Sequence, residues 1–138
     1  MVSILNFLID TNALIYLFKN QGQVRANFER HEDWRIKLCA PVYWELKVGA
    51  LKSNAADAQL MKLNKVAMRF EMLNFNQQAA DAAATIRAQL EKLGTPIGPI
   101  DTMIAGIAVA NQLALVTRNR REFSRVPDLV LVDWYDAI

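Results

Sequence analysis

Ile4-Leu5-Asn6-Phe7-Leu8-Ile9-Asp10-Thr11-Asn12 carries the strongest structural signal in the chain. Its first six residues are almost all apolar, as in a strand covered on both faces by other layers. Asp10 ends the run, and a helical pattern begins almost at once, from Ala13 to Lys19. Thr11 or Asn12 is the expected N-cap of that helix. A buried strand that turns directly into a helix is the opening of a parallel α/β sheet.

The rest of the chain repeats that alternation. A second helix is expected from Val24 to about Arg30, and a second strand from Arg35 to Ala40. Pro41 opens a helix through about Lys52, since proline is at home in a first helical turn. Ala55 to Met68 places Leu60, Leu63, Val66 and Ala67 on one helical face. Phe70 to Phe75 alternates as a short strand does, and Asn76 can cap the alanine-rich helix that stops at Gly94. After the stiff loop Gly94-Thr95-Pro96-Ile97-Gly98-Pro99 comes a helix from Ile100 to Asn111. A strand from Leu113 to Thr117, a polar stretch from Arg118 to Arg125 and a last strand from Leu129 to Val132 complete the order. The expected fold is a three-layer α/β/α sandwich around a central, mostly parallel sheet, with all 138 residues in one domain.

Composition narrows the function classes. Hydrophobic residues make up 53% of the chain, enough for a core without disulfides, and Cys39 is the only cysteine. It reads as a small buried hydrophobe, and a reducing, cytoplasmic setting fits. No stretch reads as a signal peptide or a membrane span. The net charge of +2 permits a nucleic-acid partner without arguing for one. The single histidine, His31, lies in Glu29-Arg30-His31-Glu32-Asp33, which reads as a solvated helix end and not as a catalytic base.

Three acids carry the chemistry. Asp10 stands at the carboxyl end of the first strand, Glu45 about one turn into an otherwise apolar helix, and Asp101 in the first turn of a helix of small residues. Each has an ordinary reading alone: a cap, a surface ion pair with Lys47, a favourable charge on a helix dipole. Together they lie near helix starts that a parallel fold brings to one edge of the sheet, where active sites form. Converging carboxylates repel, and protons or a cation must relieve them. A hard divalent ion such as Mg²⁺ does this best, and can stabilise a phosphoryl transition state and activate water.

Four segments resemble PIN-domain proteins, and more narrowly the VapC-type toxins of bacterial toxin–antitoxin pairs. They are Leu8-Ile9-Asp10-Thr11-Asn12, Trp44 to Ala50, Gly98 to Ala105, and Val116-Thr117-Arg118-Asn119-Arg120-Arg121-Glu122-Phe123, in order and at family-like spacing. The resemblance implies a Mg²⁺- or Mn²⁺-dependent endoribonuclease acting on structured RNA such as tRNA or rRNA. It implies a homodimer held inactive by a VapB-type antitoxin that inserts a peptide arm into the site, the complex binding operator DNA through the antitoxin. Asp10, Glu45 and Asp101 match the three central acids, with Asp10 and Asp101 as metal ligands. The fourth position, often aspartate, is Asn119 here, which leaves three formal charges and weakens any second metal site. Thr117 matches a position that orients the acids, and Asn12 a polar neighbour of the first acid. Glu45 and Asn119 would complete the coordination or position the attacking water, giving a 5′-phosphate product and no covalent intermediate.

Arg118, Arg120, Arg121 and Arg125 form a basic rim suited to RNA phosphates, or else a solvated loop paired to Glu122 or Asp128. Trp44 and Trp134 read as core or interface. Two other classes compete. A phosphatase with an aspartate nucleophile needs a second aspartate where Asn12 stands, and a non-catalytic PIN-like module would bind RNA or protein without cutting.

Overall fold

The computed structural model describes residues 5–136. Among these residues, five parallel strands form one sheet in the order β3-β2-β1-β4-β5, flanked by helices. The strands are β1 (Phe7–Ile9), β2 (Ile36–Cys39), β3 (Glu71–Leu73), β4 (Ala114–Val116) and β5 (Leu131–Val132). The helices are α1 (Thr11–Phe18), α2 (Val24–Arg30), α3 (Ala40–Lys52), α4 (Ala56–Arg69), α5 (Gln77–Lys92), α6 (Pro99–Ala110) and α7 (Arg120–Phe123). The sheet is parallel throughout, where the sequence led us to expect it mostly so.

The strand order has one reversal. From β1 the chain steps outward through β2 to β3, then returns past β1 to place β4 on its other side. Right-handed crossovers therefore put the helices before and after that return on opposite faces. The crevice at the reversal opens beyond the carboxyl ends of β1 and β4, where open α/β sheets bind ligands. Those two strands are central: every residue of Phe7–Ile9 and Ala114–Val116 is buried.

Helix ends follow local chemistry. Asn76 accepts the Ala79 N–H at 3.0 Å, as a cap should. Gly94, at φ 73°, lets Thr95 N–H reach the Leu90 carbonyl at 2.8 Å and so closes α5. Leu63 and Val66 turn the apolar face of α4 inward. Helix α6 is buried along most of its length because α5 covers it. A Cβ on Gly106 would come within 2.7 Å of the Ala79 carbonyl and the Ala83 methyl.

Several expectations need correction. The expected first strand began at Ile4, which lies outside the described residues; pairing within them starts at Phe7. The N-cap of α1 is Asp10 and not Thr11 or Asn12, because Asp10 keeps extended backbone while its carboxylate accepts the Thr11 N–H at 2.8 Å. Residues 120–123, within the stretch read only as polar, form a helical turn, and Asp33–Arg35 form a 3₁₀ turn. His31 is not a solvated helix end. Its ring stacks on Trp134 at 5.0 Å, meets Phe7 edge-on, and contacts the Asn27 carbonyl at 2.8 Å. Of the two tryptophans expected in the core or at an interface, Trp134 is core and Trp44 is 56% exposed.

Candidate active site

Asp10 and Thr117 sit at the carboxyl ends of β1 and β4, on either side of the reversal, and both are buried. Asp10 remains in the ladder through its N–H to the Val116 carbonyl at 3.0 Å. Its side chain is held at both oxygens. Oδ1 accepts the Thr11 N–H at 2.8 Å, and Oδ2 accepts the Thr117 hydroxyl at 2.7 Å. Thr117 Oγ1 in turn accepts the Asn119 N–H at 3.0 Å, which fixes the direction in which its own proton points.

Glu45 comes from α3, which starts straight after β2. The Thr11 hydroxyl donates to its Oε1 at 2.7 Å. One residue thus serves two acids: the Thr11 backbone holds Asp10, and the Thr11 side chain holds Glu45. The sequence did not single out Thr11 for this; it marked the residue only as a possible cap.

Asp101 arrives on the first turn of α6, half-buried. Burial pushes its carboxyl up to about 6, and repulsion from Asp10, Glu45 and Glu122 adds to the rise. Asp10 is raised mainly by burial; hydrogen bonds from Thr117 and Thr11 pull it back and Glu45 pushes it up again. The three acids expected from the sequence therefore feel one another across a common cleft. Glu122, one helical turn past Asn119, joins them. It was missed because its segment carries too few residues to reveal a helix, and its spacing of three from Asn119 was the available signal.

Cys39 lies behind these acids. Burial first, then Asp10 and Glu45, raise its thiol to about 12, while a hydrogen bond from the Val42 backbone opposes the rise. The thiol stays protonated and inert, as expected of a buried hydrophobe.

Whether this cleft suits a divalent cation depends on its donors. They are hard carboxylate oxygens, with two of the acids raised in pKa by burial first and by their acidic neighbours second. Among the described residues Asn12 Oδ1, two positions from Asp10, is buried and accepts no hydrogen bond. Also among them, no three acid, histidine or cysteine side chains stand close enough to hold an ion by themselves. The hard carboxylates and the unsatisfied Asn12 oxygen suit an ion of the Mg²⁺ kind, which keeps several waters and takes one or two carboxylates.

The arginine rim divides. Arg118 is committed within the protein: it pairs with Asp133 at 3.6 Å and Asp136 at 3.5 Å, and lies over the Tyr135 ring at 4.0 Å. Its partners are neither Glu122 nor Asp128. Arg125 donates to the Pro96 carbonyl at 3.0 Å. Arg120 and Arg121 are exposed on α7.

Comparison with known proteins agrees with this architecture. The family model for the PIN domain matches residues 7–129. A tRNA(fMet)-specific endonuclease VapC from Salmonella typhimurium is 39% identical over 131 residues, covering 94% of this chain and 98% of the relative. The crystal structure of DNA-bound VapBC from Salmonella typhimurium superposes with a TM-score of 0.88 at 36% identity, covering 95% of this chain and 99% of its counterpart. That of VapBC2 from Rickettsia felis, bound to a promoter DNA fragment, gives 0.86 at 30% identity, covering 94% and 99%.

Proposed function

The chain belongs to the PIN domain family, and from that premise we propose that it is a metal-dependent endoribonuclease, the toxin of a type II toxin–antitoxin pair. The observation that carries the reading is the paired restraint at the sheet reversal. Thr117 fixes Asp10, Thr11 fixes Glu45, and Asp101 faces both.

Asp10 and Asp101 would hold a Mg²⁺ or Mn²⁺ ion, with Glu122 adding negative charge beside Asp101. When bound, such an ion supplies charge stabilisation to the phosphoryl transition state and lowers the pKa of water. The residues of the chain do the positioning. Glu45, steadied by Thr11, accepts a hydrogen bond from the attacking water and takes its proton. The Asn119 amide orients that water or a phosphate oxygen, and Asn12 offers a further neutral oxygen. Thr117 acts through Asp10 as a positioning residue. In-line attack by water displaces the 3′-oxygen, leaving a 5′-phosphate on one product. Arg120 and Arg121 face the RNA backbone.

The RNA is structured, and the relative that acts on tRNA(fMet) makes initiator tRNA the first substrate to try. A VapB-type antitoxin, homodimerisation, contact with operator DNA through the antitoxin, and action in the cytoplasm complete the proposal. Among the described residues no helix is long and apolar enough to cross a membrane.

The test is incubation of purified protein with total RNA and with tRNA, in Mg²⁺ or in chelator, followed by sequencing of the new ends. Metal-dependent fragments bearing 5′-phosphates, absent with Asp10→Asn and Asp101→Asn, support the reading. Fragments ending in 2′,3′-cyclic phosphate, or binding without cleavage, overturn it.

A further inference from the structure

A groove leaves the acid cleft along α1. Thr11 and Glu45 line its near end, and Phe18, Lys19 and Lys62 its far end, around a hollow of about 320 Å³. A second hollow of about 310 Å³ adjoins it between α1, α2 and α4, sharing Phe18 and Lys62 and adding Arg25, Lys65 and Arg69.

The charges along this groove are unbalanced. Arg69 is neutralised by Asp33, with two contacts of 2.9 Å. Arg25 is fixed only by neutral acceptors, Asn20 Oδ1 at 3.1 Å and the Leu17 carbonyl at 3.2 Å. Lys62 reaches only the Phe18 carbonyl, at 3.5 Å. Among the described residues, the side chains of Lys19 and Lys65 have no hydrogen-bond or ion-pair partner. Among the described residues, Glu29 is the one acid lining the second hollow. Lys62 and Lys65 are three apart on one helix and so share a face. An acidic cleft thus continues into a cationic groove whose aromatic wall, Phe18, is common to both hollows.

We propose that this groove carries the RNA strand away from the cut, with Lys19, Lys62, Lys65 and Arg25 on successive phosphates and Phe18 against a base or ribose. The inference rests on the ribonuclease reading for what sits at the near end. A polyanion is the occupant that matches four cations without an ion-pair partner around two adjoining hollows. A nucleotide chain also offers flat faces for an aromatic wall. The carboxylates at the other end need a phosphodiester brought to them against their own charge, and cations along the approach supply that attraction.

The test measures binding of a transcribed tRNA in chelator, where the RNA stays intact, over a series of salt concentrations. Wild type is compared with Lys62→Gln/Lys65→Gln and with Lys19→Gln/Arg25→Gln, all checked for native circular dichroism. Loss of two phosphate contacts should raise Kd at least tenfold and flatten the slope of log K against log salt by about 1.5. A polyglutamate peptide is the control ligand. Wild-type Kd and slope in both variants overturn the proposal, and so does loss of polyglutamate binding alone, which would make the groove a seat for an acidic protein segment. Cleavage by the wild type, scored separately in Mg²⁺, keeps the two readings apart. Lysine-dependent binding without cleavage sustains the groove and sinks the nuclease. Cleavage with lysine-independent binding does the reverse.

Discussion

The Thr117 hydroxyl lies 2.7 Å from Asp10 Oδ2 while accepting the Asn119 N–H at 3.0 Å, so its proton has one direction left to point. Without it, the buried carboxylate would be held at Oδ1 alone and would take up a proton more readily. This contact aims it and favours its charged form against the burial that raises its pKa.

Thr117→Val should therefore keep the fold and lose activity. A hydrogen bond to a charged group contributes about 1.5–3 kcal/mol, a factor of roughly 10–100 if realised in the transition state. Losing a bond that holds Asp10 down raises its pKa, so the acid limb of the pH–rate profile should move to higher pH. Thr117→Ser should restore both rate and profile. Steady-state cleavage of tRNA across pH checks this; a lower rate with an unmoved profile would reduce Thr117 to a packing residue.

Asp101 predicts a pH dependence of stability in the metal-free protein. Its folded pKa, about 6, stands above the unfolded value of 3.8. Between those values the folded state holds a proton that the unfolded chain has released, so this group's contribution falls as pH rises through the window and is flat above it. The melting temperature of wild type minus that of Asp101→Asn, in chelator, should decline from pH 4 to about 6. Excess Mg²⁺ should abolish the decline, because an ion bound to the folded protein alone stabilises the charged form.

Charge at the fourth position should set metal affinity. Asn119→Asp should tighten Mn²⁺ binding in calorimetry, and Glu122→Gln should weaken it. The second change should also lower the Asp101 pKa and raise the metal-free melting temperature, since a repelling neighbour is gone. An Asn119→Asp affinity equal to wild type would put residue 119 out of contact with the ion.

Gly106 and Gly94 should respond differently to alanine. At Gly106 the new methyl meets backbone and side chain at 2.7 Å, and overpacking of this kind costs about 1–3 kcal/mol. At Gly94 nothing lies within 4 Å, and only the φ of 73° is lost, at about 1 kcal/mol. Urea unfolding of the two variants orders them.

The sheet was legible because β1 and β4 are buried on both faces and read as apolar runs. Asp10, Glu45 and Asp101 were legible because each follows a strand or tight loop into a helix. Glu122 was not, since a four-residue helix shows no periodicity. The surroundings of His31 were hidden for another reason: Trp134 and Phe7 meet it only after the sheet closes, and nothing local announces an aromatic stack. The Arg118 ion pairs with Asp133 and Asp136 likewise depend on β5 returning beside β4.

The hydroxyl that aims Asp10 is supplied 107 residues later in the chain. On the ribosome, then, the first acid is made early and stays unaimed until β4 has been translated, has cleared the exit tunnel and has slotted in beside β1. A nascent chain carries no working cutter while it is tethered among the ribosomal and transfer RNAs that make it, and truncation before residue 117 yields an unarmed product.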